Sequence, residues 1–212
     1  MSNLRQQWEF LWHQLGLTGD PAVLYGIIEQ CYSQPHRRHH TLRHLREGLA
    51  EPALISALEP NLVEWVWFFH DIIYDPLAQP GVNERASAGL SYQIGLMLGL
   101  APDFLRRASI MIEASAQHTP SDDPDTQLML DVDMAIVGRP PLQYEVYAHH
   151  IMDEFVPIIG LARYVRGRRQ FLQELVGRRI FQTESFGHLE KPAQDNIKWE
   201  LEYFLPRKRD NE

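Results

Sequence analysis

The stretch LVEWVWFFHDIIYDP, residues 62–76, decides the fold. Leu62, Val63, Trp65, Val66, Trp67, Phe68 and Phe69 leave almost no polar side, so a helix made of them must be buried all round. Asp75-Pro76 stops that helix, because the residue before a proline is pushed out of the helical region. His70 and Asp71 interrupt the apolar run well short of the roughly 20 residues that a membrane span needs. The stretch therefore reads as the central helix of a water-soluble core, with a histidine and a carboxylate inside it.

The chain on either side repeats the helical period. Leu4, Trp8, Leu11, Trp12 and Leu15 mark a first amphipathic helix ending near Gly16, and Asp20-Pro21 supplies the cap and first-turn proline of a second that runs toward Tyr32. Residues 33–40 form a histidine-rich loop around Pro35 that leads into a short helix at His44. Beyond the Pro80-Gly81 loop, helices are expected from about Asn83 to Leu98, from Pro102 to about His118, and from Thr126 to Val137, the last ended by Gly138 and Pro140-Pro141. Three more follow around Tyr144, Leu172 and Trp199. Alternating β-branched runs are missing, so the expected fold class is all-α. No repeat or long linker divides the chain, and a single domain over residues 1–212 is expected, with a core of about 20–180 and terminal helices packed on it.

Composition narrows the function. Apolar residues make up 44% and charged residues 23%, which suits a folded globular chain and not a disordered one. A net charge of −8 disfavours a nucleic-acid duplex as partner, since such binding rests on clustered cations. Arg163, Arg166, Arg168 and Arg169 do cluster, but a run of this kind is ordinarily the solvated face of a helix. The opening MSNLRQQWEF lacks the apolar core of a signal peptide and Cys31 has no partner for a disulfide, so a cytoplasmic setting and no membrane are expected. No phosphate-cradling glycine loop, nucleophile elbow or Cys-x-x-Cys pair is present.

The chemistry concentrates at His70-Asp71. A buried carboxylate needs compensation for its lost hydration, and a metal ion supplies it. Adjacent helix positions differ by roughly 100°, so both side chains would flank an ion lying beside the helix and not at its end. His44 upstream and an acid of LMLDVDMAIVG downstream extend the set; Asp131 and Asp133 both have apolar neighbours, and periodicity does not choose between them. Two imidazoles and two carboxylates suit a divalent Mn, Fe, Zn, Ni, Co or Mg ion better than calcium.

The order His44, His70-Asp71, Asp133 on a helical chain resembles the HD-domain superfamily, whose ligand set is His, His-Asp, Asp. HHTLRHL, WFFHDIIYD, NERASA, IEASAQH, DVDMAIVG and GRRQFL, between roughly residues 37 and 172, are similar in order to blocks of a bacterial subfamily of metal-dependent phosphohydrolases. The resemblance implies His44 over His39 or His40 as first ligand and Asp133 over Asp131 as last. Where the subfamily usually carries Tyr before the first of its two motif histidines, this chain has His39. It further implies hydrolysis of a phosphate ester or anhydride of a small molecule, with a nucleotide as the default class. Glu84 and Asp75 become candidates to orient water or take its proton, Arg37 and Arg38 to hold the phosphate, and His118 to line the cleft beside one metal. A dimetal oxygenase and a non-catalytic nucleotide-binding sensor are the alternatives within the same family. Oligomeric state has no signature in the chain.

Overall fold

The computed structural model describes residues 3–205. All regular structure among them is helical. The chain packs as two compact units, the first ending at Asp133 and the second beginning at Met134. The outermost positions of the expected domain, 1–2 and 206–212, lie outside the described residues.

In the first unit, α1 (Leu4–Gln14) is capped by the Asn3 side chain and α2 (Pro21–Tyr32) by Asp20, whose carboxylate accepts the Ala22 N–H at 2.9 Å. Next come α3 (Leu42–Leu49), a 3-10 segment Pro52–Ser56, and α4 (Pro60–Phe69). The unit is completed by α5 (Val82–Met97), α6 (Pro102–Ala114) and α7 (Pro124–Met134), whose last residue opens the second unit. Helix α4 is the hub: it packs against α1, α3, α5 and α6, and Leu62, Val63, Trp65 to Phe69 are all buried. Its tryptophans are anchored as well as buried. The indole N–H of Trp65 donates to Ser91 Oγ at 2.8 Å, and that of Trp67 to the Leu45 carbonyl at 2.9 Å. Helix α3 approaches so closely that a Cβ on Gly48 would overlap the Trp67 indole. At the start of α4, the buried carboxylate of Asp125 accepts the N–H groups of Leu58 and Glu59 at 2.7 and 2.9 Å.

Three helix ends differ from expectation. Helix α4 stops at Phe69, not at Tyr74, because distant side chains take the backbone groups that a further turn would pair. Tyr32 Oη accepts the Asp71 N–H, Ser87 Oγ accepts the Ile73 N–H, and Arg37 donates to the carbonyls of Asp71 and Ile72. Helix α6 stops at Ala114, short of His118, which sits at φ +47°. Helix α7 gives way at Ala135 to a 3-10 turn, Ala135–Gly138, whose exit is held by Asn196 Nδ2 donating to the carbonyls of Val137 and Arg139 at 2.9 and 2.8 Å.

The second unit contains α8 (Pro141–Ile159), α9 (Leu161–Leu175) and α10 (Glu190–Trp199), the last running into a π-helical turn, Glu200–Phe204. Inside it, Arg168 forks onto Glu200 at 2.7 and 3.0 Å, and Tyr144 Oη donates to the same carboxylate. Arg168 is therefore a core residue, unlike the solvated arginine face expected around it. No helix among the described residues is long and apolar enough to cross a membrane.

Candidate metal centre

His70 is the C-cap of α4 and 1% exposed. Its Nδ1 lies 2.8 Å from the Trp67 carbonyl. A carbonyl only accepts, so Nδ1 carries the proton and Nε2 is directed elsewhere. Nε2 of His70 lies 3.1 Å from Nε2 of His44, a buried residue in the first turn of α3. The chain reversal after Phe69 then turns Asp71 Oδ2 to 3.1 Å from His70 Nε2 and 3.9 Å from His44 Nε2. Helix α7 adds Asp133, with Oδ1 3.3 Å from His44 Nε2 and 3.9 Å from His70 Nε2. Of the two acids, which stand roughly 200° apart around the helix, it is Asp133 whose carboxylate lies beside His44 and His70.

His44, His70 and Asp71 form a group that could hold a metal ion, and its donor set fits one. Two atoms about 2.1 Å from a common ion and 90–110° apart stand roughly 3.0–3.4 Å from each other. Within that group the two contacts of 3.1 Å fall in that range and the one of 3.9 Å lies outside it; Asp133, which is not in the group, adds contacts of 3.3 Å to His44 and 3.9 Å to His70. Two imidazole Nε2 atoms 3.1 Å apart need a positive particle between them, whether a proton or a metal, because their lone pairs repel. The site lies at the C-terminal end of α4, where His70 is the C-cap and Asp71 follows in the turn, which corrects the expectation of an ion alongside an unbroken helix.

The cluster is electrostatically coherent. Burial opposes charge on His70, yet the adjoining Asp71 carboxylate, and Asp133 beyond it, lift its pKa to about 9. Burial likewise opposes ionisation of Asp71, but His70 and then His40 hold its carboxyl below the ordinary range. Asp133 is likewise held well below the ordinary range, by hydrogen bonds from His118 and His44 against the same desolvation. The proton on His70 thus offsets part of the charge of two ionised carboxylates in one buried place, a role that a divalent cation can take over.

The other expected site residues divide. His118 joins the cluster: its Nε2 donates to Asp133 Oδ2 at 2.8 Å, leaving Oδ1 toward His44. Its positive φ is uncommon for a side chain of this size and marks a backbone bent to deliver the ring. Glu84, in the first turn of α5, lies at the edge. Desolvation raises its pKa, and Asp71 and Asp133 raise it further while His118 lowers it. Asp75 is not delivered: it is exposed, its Oδ1 accepts the Leu77 N–H at 2.8 Å, and its backbone pairs with Asn83, so it serves the turn through Pro76. Arg38 is exposed and donates to the carbonyls of Pro35 and Arg37.

Arg37 corrects the sequence reading most. Expected to hold a phosphate, it is 3% exposed and bonded to Gln34 Oε1 and to the carbonyls of His40, Asp71 and Ile72. Sequence reasoning also passed over Tyr32, Trp67 and Ser87, which anchor the histidine-bearing turn, and His40, whose ring stacks on Tyr74 at 4.4 Å. The paired histidines were a visible signal for His40. Nothing local marked Tyr32 or Ser87, since their partners are backbone groups 39 and 14 positions away.

The chain matches no protein-family model, no curated protein and no solved structure.

Proposed function

We propose that the protein is a metal-dependent phosphohydrolase of the HD type, acting in the cytoplasm on a phosphate ester or anhydride of a small molecule, a nucleotide being the default class. The observation that carries this reading is the convergence of two imidazole nitrogens and two carboxylates, from His44, His70, Asp71 and Asp133, in the order the HD ligand set would take. Such a mixed nitrogen and oxygen set suits Mn, Fe, Zn, Ni, Co or Mg. When bound, a divalent ion supplies Lewis acidity: it polarises a phosphoryl oxygen and makes water acidic enough to attack near neutral pH.

The chain's own groups do the rest. Nδ1–H of His70 stays on the Trp67 carbonyl, so the ring presents Nε2 and does not turn. His118 Nε2–H fixes one oxygen of Asp133 and leaves the other toward His44. The Glu84 carboxylate, with a pKa raised by burial, takes the proton of the attacking water. Arg38, exposed on the histidine-rich loop, remains the candidate cation for the phosphate, although its guanidinium donates to the Pro35 and Arg37 carbonyls. An overall charge of −8 keeps polyanionic duplexes away without affecting a small substrate met by a local cation.

Metal-replete protein is expected to release phosphate from a general aryl phosphate or from a member of a nucleotide panel, to stop on chelation, and to lose both metal and turnover in Asp71→Ala. Tight metal binding without turnover of any such substrate would contradict hydrolysis and favour a nucleotide-binding sensor. One observation favours a second reading: Asp133 points one oxygen at His44 and the other at His118, as a carboxylate shared between two cations would. Two irons per chain by elemental analysis, with oxygen consumption, would move the assignment to a dimetal oxygenase.

A further inference from the structure

We infer that Arg37 is a positioning residue for the metal centre, locking the loop that leads to His44 and the turn that carries His70-Asp71 into one register. It rests on the metal-centre reading above and not on the choice of reaction. The guanidinium lies between two aromatic rings, its carbon 5.0 Å from the centroid of Tyr32 and 5.1 Å from that of Tyr74. In that slot its flat fork reaches three carbonyls. Nη1 donates to His40 at 3.1 Å and to Asp71 at 2.7 Å, and Nη2 donates to Ile72 at 3.1 Å. His40 immediately precedes Thr41, the N-cap of α3, whose first turn contains His44. Asp71 and Ile72 are the reversal that aims the HD pair.

One rigid group therefore spans the two segments that supply three of the four ligand side chains. The Asp71 and Ile72 carbonyls lie just beyond the end of α4, so the guanidinium fixes the turn that follows the helix. The Tyr32 hydroxyl, accepting the Asp71 N–H at 3.2 Å, completes the grip from the same slot. Lysine does not replace this arrangement, since an ammonium has neither the planar stack nor donors aimed at three carbonyls in one plane.

The test compares wild type, Arg37→Lys and Arg37→Ala by far-ultraviolet circular dichroism, by titration with Co²⁺ and Mn²⁺, and by the visible spectrum of the Co²⁺ form. The expected result is wild-type helicity in both variants, metal affinity lower by about 10–100-fold, and a changed Co²⁺ spectrum. Free guanidinium added to Arg37→Ala should restore affinity and spectrum by occupying the slot between Tyr32 and Tyr74, while urea at the same concentration should not. Unchanged affinity and spectrum in both variants would overturn the inference. So would loss of helicity in both, because Arg37 would then hold the fold and not the site. If wild type itself binds neither ion, the metal-centre reading falls first and takes this inference with it.

Discussion

At the scale of single residues, two histidines each have one ring nitrogen fixed by a partner within the protein. His70 commits Nδ1 to a carbonyl and leaves Nε2 for the cluster, and His118 commits Nε2 to Asp133. Glu84 has no such commitment to a ligand, and its carboxyl is poised upward in pKa by burial and by Asp71. Acting as base, it must be ionised, so the rate should rise with pH through a value above the ordinary glutamate range. Glu84→Gln should lower kcat by about 100-fold or more, remove that acid limb from the pH–rate profile, and leave metal content unchanged. An unaltered profile would remove Glu84 from the mechanism. His44, His70 and Asp71 were legible in the sequence because metal chemistry restricts residue type, and type is what a sequence records. Arg37 was not. An arginine beside histidines looks like a phosphate contact until Tyr32 and Tyr74, from two other segments, are seen to enclose it.

Elements were legible where their signals are local. Asp20-Pro21 opens α2 and Pro102 opens α6, as their capping and first-turn chemistry dictates. The end of α4 was hidden because its cause is tertiary: Arg37, Tyr32 and Ser87 take the backbone groups that Pro76 alone would have left helical for five more residues. Periodicity could not choose between Asp131 and Asp133 either, since both have apolar neighbours and only the position of His44 decides. The same tertiary control predicts a sensitive contact between α3 and α4. Gly48 gives the Trp67 indole its space, and that indole in turn donates to the Leu45 carbonyl one residue past His44. Gly48→Ala should push α3 outward, destabilise the protein by about 1–3 kcal/mol and weaken metal binding together. A thermal melt and a metal titration on the same sample check both. A wild-type Tm would show that α3 is not seated on Trp67 as described.

For the molecule as a whole, composition and periodicity sufficed for an all-helical class, because helices announce themselves every few residues. They did not reveal that residues up to Asp133 and residues from Met134 onward form separate compact units, since no linker marks the join. Nor did they reveal that the second is organised around a buried Arg168–Glu200 pair. Arg168 lies in an arginine run that reads as solvated, and its partner is 32 positions away. Every candidate ligand lies in the first unit, so the central claim, a single metal centre made by His44, His70, Asp71 and Asp133, stands or falls there. The most direct measurement is anomalous X-ray scattering from a crystal of the protein grown with Mn²⁺. The account predicts a peak about 2.0–2.3 Å from Nε2 of His44, Nε2 of His70 and a carboxylate oxygen of each aspartate. A metal-replete crystal with no peak in that cluster, or with its metal bound elsewhere, would contradict it.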